Sequence, residues 1–205
     1  MKFRLLFGGS ALAACLFVSG APKAATLTTD FASWAAAAGT YVNTASTGLP
    51  LYSTVTTIPL SDGVTLSVAG VADTLLQPLS GWGPWSGGFT GDIIDSSGSS
   101  ETISFPAGLL ALGLELSPDV PFFGPNDATF TITLSDGTTT TVSGNYSAGV
   151  TQFVGFTGGG ITSLTISTTA PDFAFGNFDS AVPEPVSLSL LLTGLAGLGL
   201  VRRRS

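Results

Sequence analysis

Two segments of the chain share a turn sequence that limits what the chain can fold into. LSDGVTLSVAG at 60–70 and LSDGTTTTVSG at 134–144 are identical at seven of eleven positions. Asp-Gly is typical of the tight turn of a β-hairpin, where it supplies positive φ angles. Around both turns apolar and polar residues alternate, which predicts a hairpin at each place, with strands at 55–60, 64–68, 129–134 and 138–142. Because nothing outside the hairpins matches, we interpret the likeness as convergent turn chemistry rather than a repeat.

Five more short segments show the same alternation between turn residues. These predicted strands are 101–105, 109–116, 152–156, 161–167 and 172–178. Phe173 and Phe175 share one face of the last strand, because side chains in a strand alternate with a period of two. Eight or nine short strands predict an all-β domain, an antiparallel β-sandwich of jelly-roll-like form.

The start of this domain departs from the strand pattern. Thr29 or Asp30 is suited to cap a helix, Phe31 and Trp34 fall on one helical face, and Gly39 suits the position after the last turn. These residues predict one short N-terminal helix.

The distribution of charge excludes several classes of function. All 13 acidic residues lie between Asp30 and Glu184, and no Lys, Arg, His or Cys occurs from Ala24 to Val182. Nucleic acid binding is excluded because the domain cannot neutralise phosphates. Catalysis by Ser/His/Asp, Cys/His or a Schiff base is excluded for lack of the residues. We therefore expect a domain that is not an enzyme and needs no cofactor.

Paired carboxylates are the remaining catalytic alternative. A glycosidase-like acid and base could come from three pairs, namely Asp92 with Asp95, Glu101 with Glu115, or Asp119 with Asp127. No spacing favours one pair, and a site acting on sugars usually also carries a cation to position its substrate.

Two segments, 79–98 and 117–126, break the alternation and are predicted to be long loops, where binding sites are common. Trp82, Trp85 and Phe89 in the first loop are candidate carbohydrate-binding residues, because exposed rings stack on sugars. The alternative is that the rings cover an edge of the core.

The same loops offer oxygen ligands for a metal ion. The candidates are Asp92 and Asp95 in the first loop, or Asp119, Asn126 and Asp127 in and next to the second. With no imidazole or thiolate present, these ligands favour Ca²⁺. Neither set has the residue order of an EF-hand, and the alternative is that the acids only solvate the surface.

The N-terminus has the pattern of a secretory signal peptide. Lys2 and Arg4 precede an apolar run at 5–18, and small residues follow. This predicts a segment at 1–25 that signal peptidase removes. Cys15 also lies in a lipobox-like sequence, so its lipidation is an alternative that the sequence leaves open.

The C-terminal segment, 182–205, has three parts. They are the triplet Pro183, Glu184 and Pro185, an apolar run at 186–201, and the cluster Arg202, Arg203 and Arg204. The run of 16 residues would be about 24 Å long as a helix, close to the roughly 30 Å of the hydrocarbon core. The arginines favour a cytoplasmic C-terminus. These parts predict a single transmembrane helix with the domain outside.

This order of parts resembles the PEP-CTERM sorting signal of Gram-negative bacterial surface proteins, over about a tenth of the chain. The resemblance implies that a membrane-embedded exosortase cleaves near the triplet and releases the domain at 26–181 from the inner membrane to the cell surface or extracellular space. It also implies a link to exopolysaccharide and biofilm. We expect a structural or adhesive surface or matrix protein, and the alternative is a lectin-like, carbohydrate-binding module.

Overall fold

Two antiparallel β-sheets form the domain. The computed structural model describes residues 24–69, 73–76, 88–96, 98–106, 108–118, 127–146 and 150–182. The predicted signal peptide, as far as residue 23, and the predicted sorting signal from Pro183 onward lie outside these residues. No helix within the described ranges is long and apolar enough to cross a membrane.

The described residues contain fourteen strands and one helix, α1, at Phe31–Ala38. The strands are β1 Thr26–Thr28, β2 Val42–Thr44, β3 Thr54–Val55, β4 Thr57–Pro59, β5 Thr65–Ala69, β6 Asp73–Leu76, β7 Ile93–Ser96, β8 Ser100–Ser104, β9 Ala111–Pro118, β10 Asp127–Leu134, β11 Thr139–Asn145, β12 Gln152–Thr157, β13 Ser163–Thr168 and β14 Phe173–Ala181.

The first sheet has the order β1-β12-β9-β14-β7-β6-β3, with β2 also paired to β14. The second has the order β11-β10-β13-β8-β5-β4. Every pairing among the described strands is antiparallel. The prediction of an all-β, antiparallel domain is therefore confirmed, and its jelly-roll form stays a prediction.

One hydrophobic core lies between the two sheets. Strand β10 shows how the sequence builds it, because Phe130 and Ile132 are fully buried while the intervening Thr131 is half-buried. Leu114 and Phe175 face them from the first sheet and belong to the same cluster. Alternation of apolar and polar residues thus gives the second sheet one dry face.

Both predicted hairpins form, with a different turn from the one expected. Only the glycine takes a positive φ, 86° at Gly63 and 86° at Gly137. The preceding aspartates instead accept a hydrogen bond from the backbone N–H two residues on, at 3.0 Å for Asp62 and 2.8 Å for Asp136. Each turn is a three-residue loop closed by a glycine, which explains why both sequences share Ser-Asp-Gly.

The other element predictions were right for some segments and wrong for others. Residues 93–96, which we expected to lie in a loop, form strand β7 in the middle of the first sheet. The single strand expected at 55–60 is divided at Thr56, so that β3 joins the first sheet and β4 the second. Sequence patterns did not indicate the short strands β1, β2 and β6.

Helix α1 forms as predicted. Asp30 is its N-cap and accepts a hydrogen bond from the Ser33 backbone N–H at 3.0 Å. The Ser33 hydroxyl donates to the same carboxylate, and this hydrogen bond together with that of the backbone holds the pKa of Asp30 below its ordinary value. Gly39, with a φ of 74°, ends the helix and donates its N–H to the carbonyl of Ala35. The helix packs on the outer face of the first sheet, against β9 and β12.

The two outer faces of the sandwich differ in chemistry. Outward positions of the second sheet carry hydroxyl side chains and, in the described strands, no aromatic ring. They include Thr65, Ser67, Ser100, Thr102, Ser104, Thr129, Thr131, Thr133, Thr139, Thr141, Ser143, Ser163, Thr165 and Ser167. On the outer face of the first sheet, by contrast, a cluster of aromatic rings lies with two carboxylates, Glu115 and Asp179.

Candidate functional site

The helix is held on the first sheet by a tryptophan seated on two glycines. A Cβ at Gly155 would lie 2.5 Å from Cδ1 of Trp34, and one at Gly113 would lie 3.3 Å from its Cε2. Only glycine therefore lets the indole approach the sheet backbone. The indole N–H donates to the carbonyl of Phe156 at 3.0 Å, which satisfies the polar atom of a completely buried ring.

Three further aromatic rings surround this tryptophan. Phe31 stacks on Trp34 with ring centroids 6.0 Å apart, and Tyr41 and Phe153 meet Phe31 edge-on. Phe31 is 43% exposed, and Tyr41 is half-buried. The cluster thus exposes ring surface of Phe31 to solvent above the buried Trp34.

An irregularity in β14 brings a carboxylate to this face. The register of β14 against β9 shifts between Gly176 and Asp179, and Asn177 has a φ of 51°. Because of this bulge, Phe175 and Phe178 both face the core although they are three residues apart. Asp179 then faces outward, where it accepts a hydrogen bond of 2.8 Å from Nδ2 of Asn43 in β2.

The bulge also holds the segment that precedes β7. Oδ1 of Asn177 accepts hydrogen bonds from the backbone N–H groups of Thr90 and Gly91, each at 3.1 Å, and from the Thr90 hydroxyl at 3.2 Å. Gly176 permits the close approach, because a Cβ there would lie 2.5 Å from the carbonyl oxygen of Asp92. Residues 88–91 therefore form a fixed wall beside the carboxylate.

Together these elements enclose a groove of about 310 Å³ on the outer face of the first sheet. We call it the β9–β14 groove, and it is lined by Phe31, Tyr41, Asn43, Gly88, Thr90, Glu115, Asn177 and Asp179. It combines exposed aromatic surface with carboxylate, amide and hydroxyl groups.

Two carboxylates line the groove, and the domain from Ala24 to Val182 has no Lys, Arg or His to compensate their charge. Burial raises the pKa of Asp179, the Asn43 hydrogen bond lowers it, and the charge of Glu115 raises it again, with a net upward shift. Glu115, which alternates with the buried Leu114 and Leu116, accepts a hydrogen bond from the Thr151 hydroxyl at 2.5 Å. The groove is therefore an acidic site that favours a proton, a cation or a hydrogen-bond donor.

The aromatic residues predicted as a sugar platform lie elsewhere. Phe89 is only 4% exposed and packs against Ile93 and Ala174, so its ring offers no open face. Trp82 and Trp85 lie outside the described residues.

The predicted calcium ligands are not gathered into a site where the structure describes them. Asp92 is buried, and its Oδ2 accepts hydrogen bonds from the N–H and hydroxyl of Thr47 at 2.7 and 2.8 Å. Asp95 lies within β7, opposite Ala174. Asp127 accepts a hydrogen bond from Asn145 at 2.9 Å. Asp119 and Asn126 are outside the described part of the chain, within which no group of three or more His, Cys, Asp or Glu could hold a metal ion.

The structure separates one of the predicted carboxylate pairs and brings together a different pair that was not predicted. Glu101 lies in the second sheet and is buried, whereas Glu115 lies in the first sheet and faces outward. The pairing that the sequence did not indicate is that of Glu115 with Asp179. A period-two pattern through 173–181 would have placed Asp179 on the core face. The clue in the sequence was Phe178, which is out of phase with Phe173 and Phe175.

Comparison with known proteins gives neither a family nor a curated relative. No family model matches the chain, and no curated protein matches it. Among solved structures, CsCBM6-3 from Clostridium stercorarium with cellobiose is 17% identical, with a TM-score of 0.31, over 68% of this chain and 98% of that one. TmCBM61 with beta-1,4-galactotriose is 13% identical, with a TM-score of 0.27, over 58% of this chain and 88% of that one.

A third structure contains the CBM22-1 and GH10 modules of a Clostridium thermocellum xylanase with xylohexaose. It is 15% identical, with a TM-score of 0.32, over 66% of this chain and 28% of that one. Similarity at this level does not assign a ligand. The function is therefore inferred from the residues that line the β9–β14 groove.

Proposed function

We propose that this chain is an exported surface or matrix protein whose β-sandwich domain binds a carbohydrate in the β9–β14 groove. The observation that carries the proposal is the exposed ring of Phe31 beside the carboxylates of Glu115 and Asp179 in one groove of about 310 Å³. This volume lies at the lower end of the roughly 300–1,000 Å³ usual for ligand sites.

The groove has the two kinds of group that sugars need. A pyranose ring has faces of C–H groups, which pack on an aromatic ring, and a rim of hydroxyls, which donate to carboxylates and amides. Phe31 supplies the first kind, and Asp179, Asn43 and Glu115 supply the second. All of them lie on or directly beside sheet strands and a capped helix, so the site is preorganised.

Delivery to the outside is the second part of the proposal. The signal-peptide pattern at 1–25 and the PEP-CTERM-like tail at 182–205 support export, processing by signal peptidase and exosortase, and release from the inner membrane. A groove that holds polysaccharide would give the released domain its adhesive role in an exopolysaccharide matrix.

We propose binding without cleavage. Glycoside hydrolysis uses two carboxyl groups, and the groove contains two, Glu115 and Asp179. The domain from Ala24 to Val182 has no Lys, Arg or His to position a substrate. Incubation with the bound oligosaccharide should therefore release no new reducing ends, and their appearance would identify the chain as a hydrolase.

Isothermal titration of the full chain in mild detergent with a panel of oligosaccharides tests the site. Phe31→Ala removes the exposed ring, and Leu110→Ala is the matched control, because Leu110 is a comparably exposed apolar residue at 42% and lies outside the groove. A Trp82→Ala/Trp85→Ala variant tests the aromatic platform predicted from sequence. Addition of Ca²⁺ or of a chelator tests the predicted metal.

We expect Phe31→Ala to weaken binding by roughly tenfold or more, the value of one good stacking contact. Leu110→Ala should bind like the wild type. Loss of binding in the tryptophan variant alone would move the site to the loop at 79–98, and loss with chelator would make binding metal-dependent. No binding to any glycan would overturn the proposal.

A further inference from the structure

The charge of the domain restricts which carbohydrate the β9–β14 groove can accept. All of the 13 acidic residues except Glu184 lie in the domain, and it contains no Lys, Arg or His. A uronate or sulfated sugar would bring a third negative charge next to Glu115 and Asp179. No side chain of the domain could neutralise it, so anionic polysaccharides are poor ligands for this groove.

The acidic pair of the groove favours the opposite kind of sugar. Asp179 is 6% exposed and lies in the groove with Glu115, which repels its charge. A ligand ammonium near both carboxylates would replace this repulsion by two attractions. Charge-assisted hydrogen bonds of this kind are about twice as strong as neutral ones.

One hydrogen bond orients each of the two carboxylates in the groove. Asn43 fixes Oδ1 of Asp179, and Thr151 fixes Oε2 of Glu115. Among the described residues no hydrogen bond engages the other oxygen of either carboxylate, Oδ2 or Oε1, and both side chains line the groove. Phe31 and Tyr41 line the same groove, so that a sugar ring lying on them would bring its substituents to the acids.

We propose that the β9–β14 groove selects amino sugars, that is, polysaccharides with free, protonated amines such as glucosamine units. This inference rests on the proposed carbohydrate-binding function. It adds the ligand class that the acidic pair selects.

Three hexasaccharides with the same β-1,4-linked backbone test it directly. Hexaglucosamine carries an ammonium at C2, hexa-N-acetylglucosamine an acetamide and cellohexaose a hydroxyl, so only the group at C2 changes. Each is titrated into the full chain at mildly acidic pH, at low and at high ionic strength, with an oligogalacturonate as the anionic probe. The variants are Glu115→Gln and Asp179→Asn, and Asp127→Asn is the charge-matched control on the second sheet.

We expect hexaglucosamine to bind at least tenfold more tightly than cellohexaose, because its ammonium, unlike a hydroxyl, brings a positive charge to the two carboxylates. Glu115→Gln and Asp179→Asn should each weaken the binding of hexaglucosamine more than that of cellohexaose and so reduce the preference, whereas Asp127→Asn should leave both affinities unchanged. The oligogalacturonate should not bind. A wild-type circular dichroism spectrum shows that a variant is folded.

Two results would overturn the inference and leave the proposed function standing. One is equal affinity for hexaglucosamine and cellohexaose. The other is a preference for hexaglucosamine that Asp127→Asn lowers as much as Asp179→Asn and that high salt abolishes, which would be non-specific attraction to an acidic chain. If none of the hexasaccharides binds, the inference is overturned, and a wider panel decides the proposed function.

Discussion

Substitution of Gly155 by alanine tests how the groove is built. The new Cβ would lie 2.5 Å from Cδ1 and 2.8 Å from Nε1 of Trp34, and 2.9 Å from Cζ of Phe153. All three contacts are shorter than a Cβ tolerates, and the indole cannot yield because it is fully buried and bonded to Phe156. Overpacking of this kind costs about 1–3 kcal/mol.

For a domain of this size the cost corresponds to a fall in Tm of roughly 2–12 °C, at about 2–4 °C per kcal/mol. The assay is thermal unfolding followed by circular dichroism. Gly159→Ala is the matched control, because a Cβ at Gly159 meets nothing within 4 Å and its φ is not positive. The control should unfold like the wild type.

A second substitution shows whether the clash is with the indole. Trp34→Phe in the Gly155→Ala background should recover part of the lost stability. The double variant should therefore lose less unfolding free energy than the sum of the two single variants, by about 0.5 kcal/mol or more. An unchanged Tm for Gly155→Ala, or strictly additive costs, would refute the seating of helix α1 on these glycines.

Three further predictions concern the bulge, the acidic pair and the hairpin turns. Asn177→Gly keeps the positive φ but removes the acceptor of three hydrogen bonds. Denaturant unfolding should therefore show a free energy of unfolding lower by about 1–3 kcal/mol. A decrease below about 0.5 kcal/mol would contradict the role of Asn177 in holding residues 88–91. Folding raises the pKa of Asp179 above its ordinary value of 3.8. Protonation of Asp179 therefore stabilises the folded state below pH 3.8, and this stabilisation is lost as the pH rises through the raised pKa. The Tm of the wild type should therefore fall relative to that of Asp179→Asn over this interval, and parallel pH profiles would count against it. Gly137→Ala, at a φ of 86°, should cost about 1–2 kcal/mol, whereas Gly159→Ala should cost nothing measurable.

The sequence was most informative where a local rule decides the structure. Asp30 and Gly39 bound the helix as predicted, because capping depends on a few adjacent residues. The two Ser-Asp-Gly turns fixed both hairpins, and alternation fixed the dry face of β10. Strands β1, β2 and β6 were missed because three or four residues give too short a pattern for a period to show.

The groove could not be predicted because it is assembled from distant parts of the chain. Asn43 and Asp179 are 136 residues apart in sequence, and they meet only because β2 pairs with β14. The outward direction of Asp179 depends on the bulge at Asn177, which shifts the alternation by one residue. Tyr41 and Phe31 reach the groove only because Gly113 and Gly155 let the helix lie close to the sheet.

The most direct test of the central claim is a crystal structure of the chain with the oligosaccharide that binds it most tightly. We expect a sugar ring lying on Phe31 in the β9–β14 groove, with its C2 substituent within hydrogen-bonding distance of Glu115 or Asp179. A sugar bound at Trp82 and Trp85, or on the hydroxyl-bearing face of the second sheet, would contradict it.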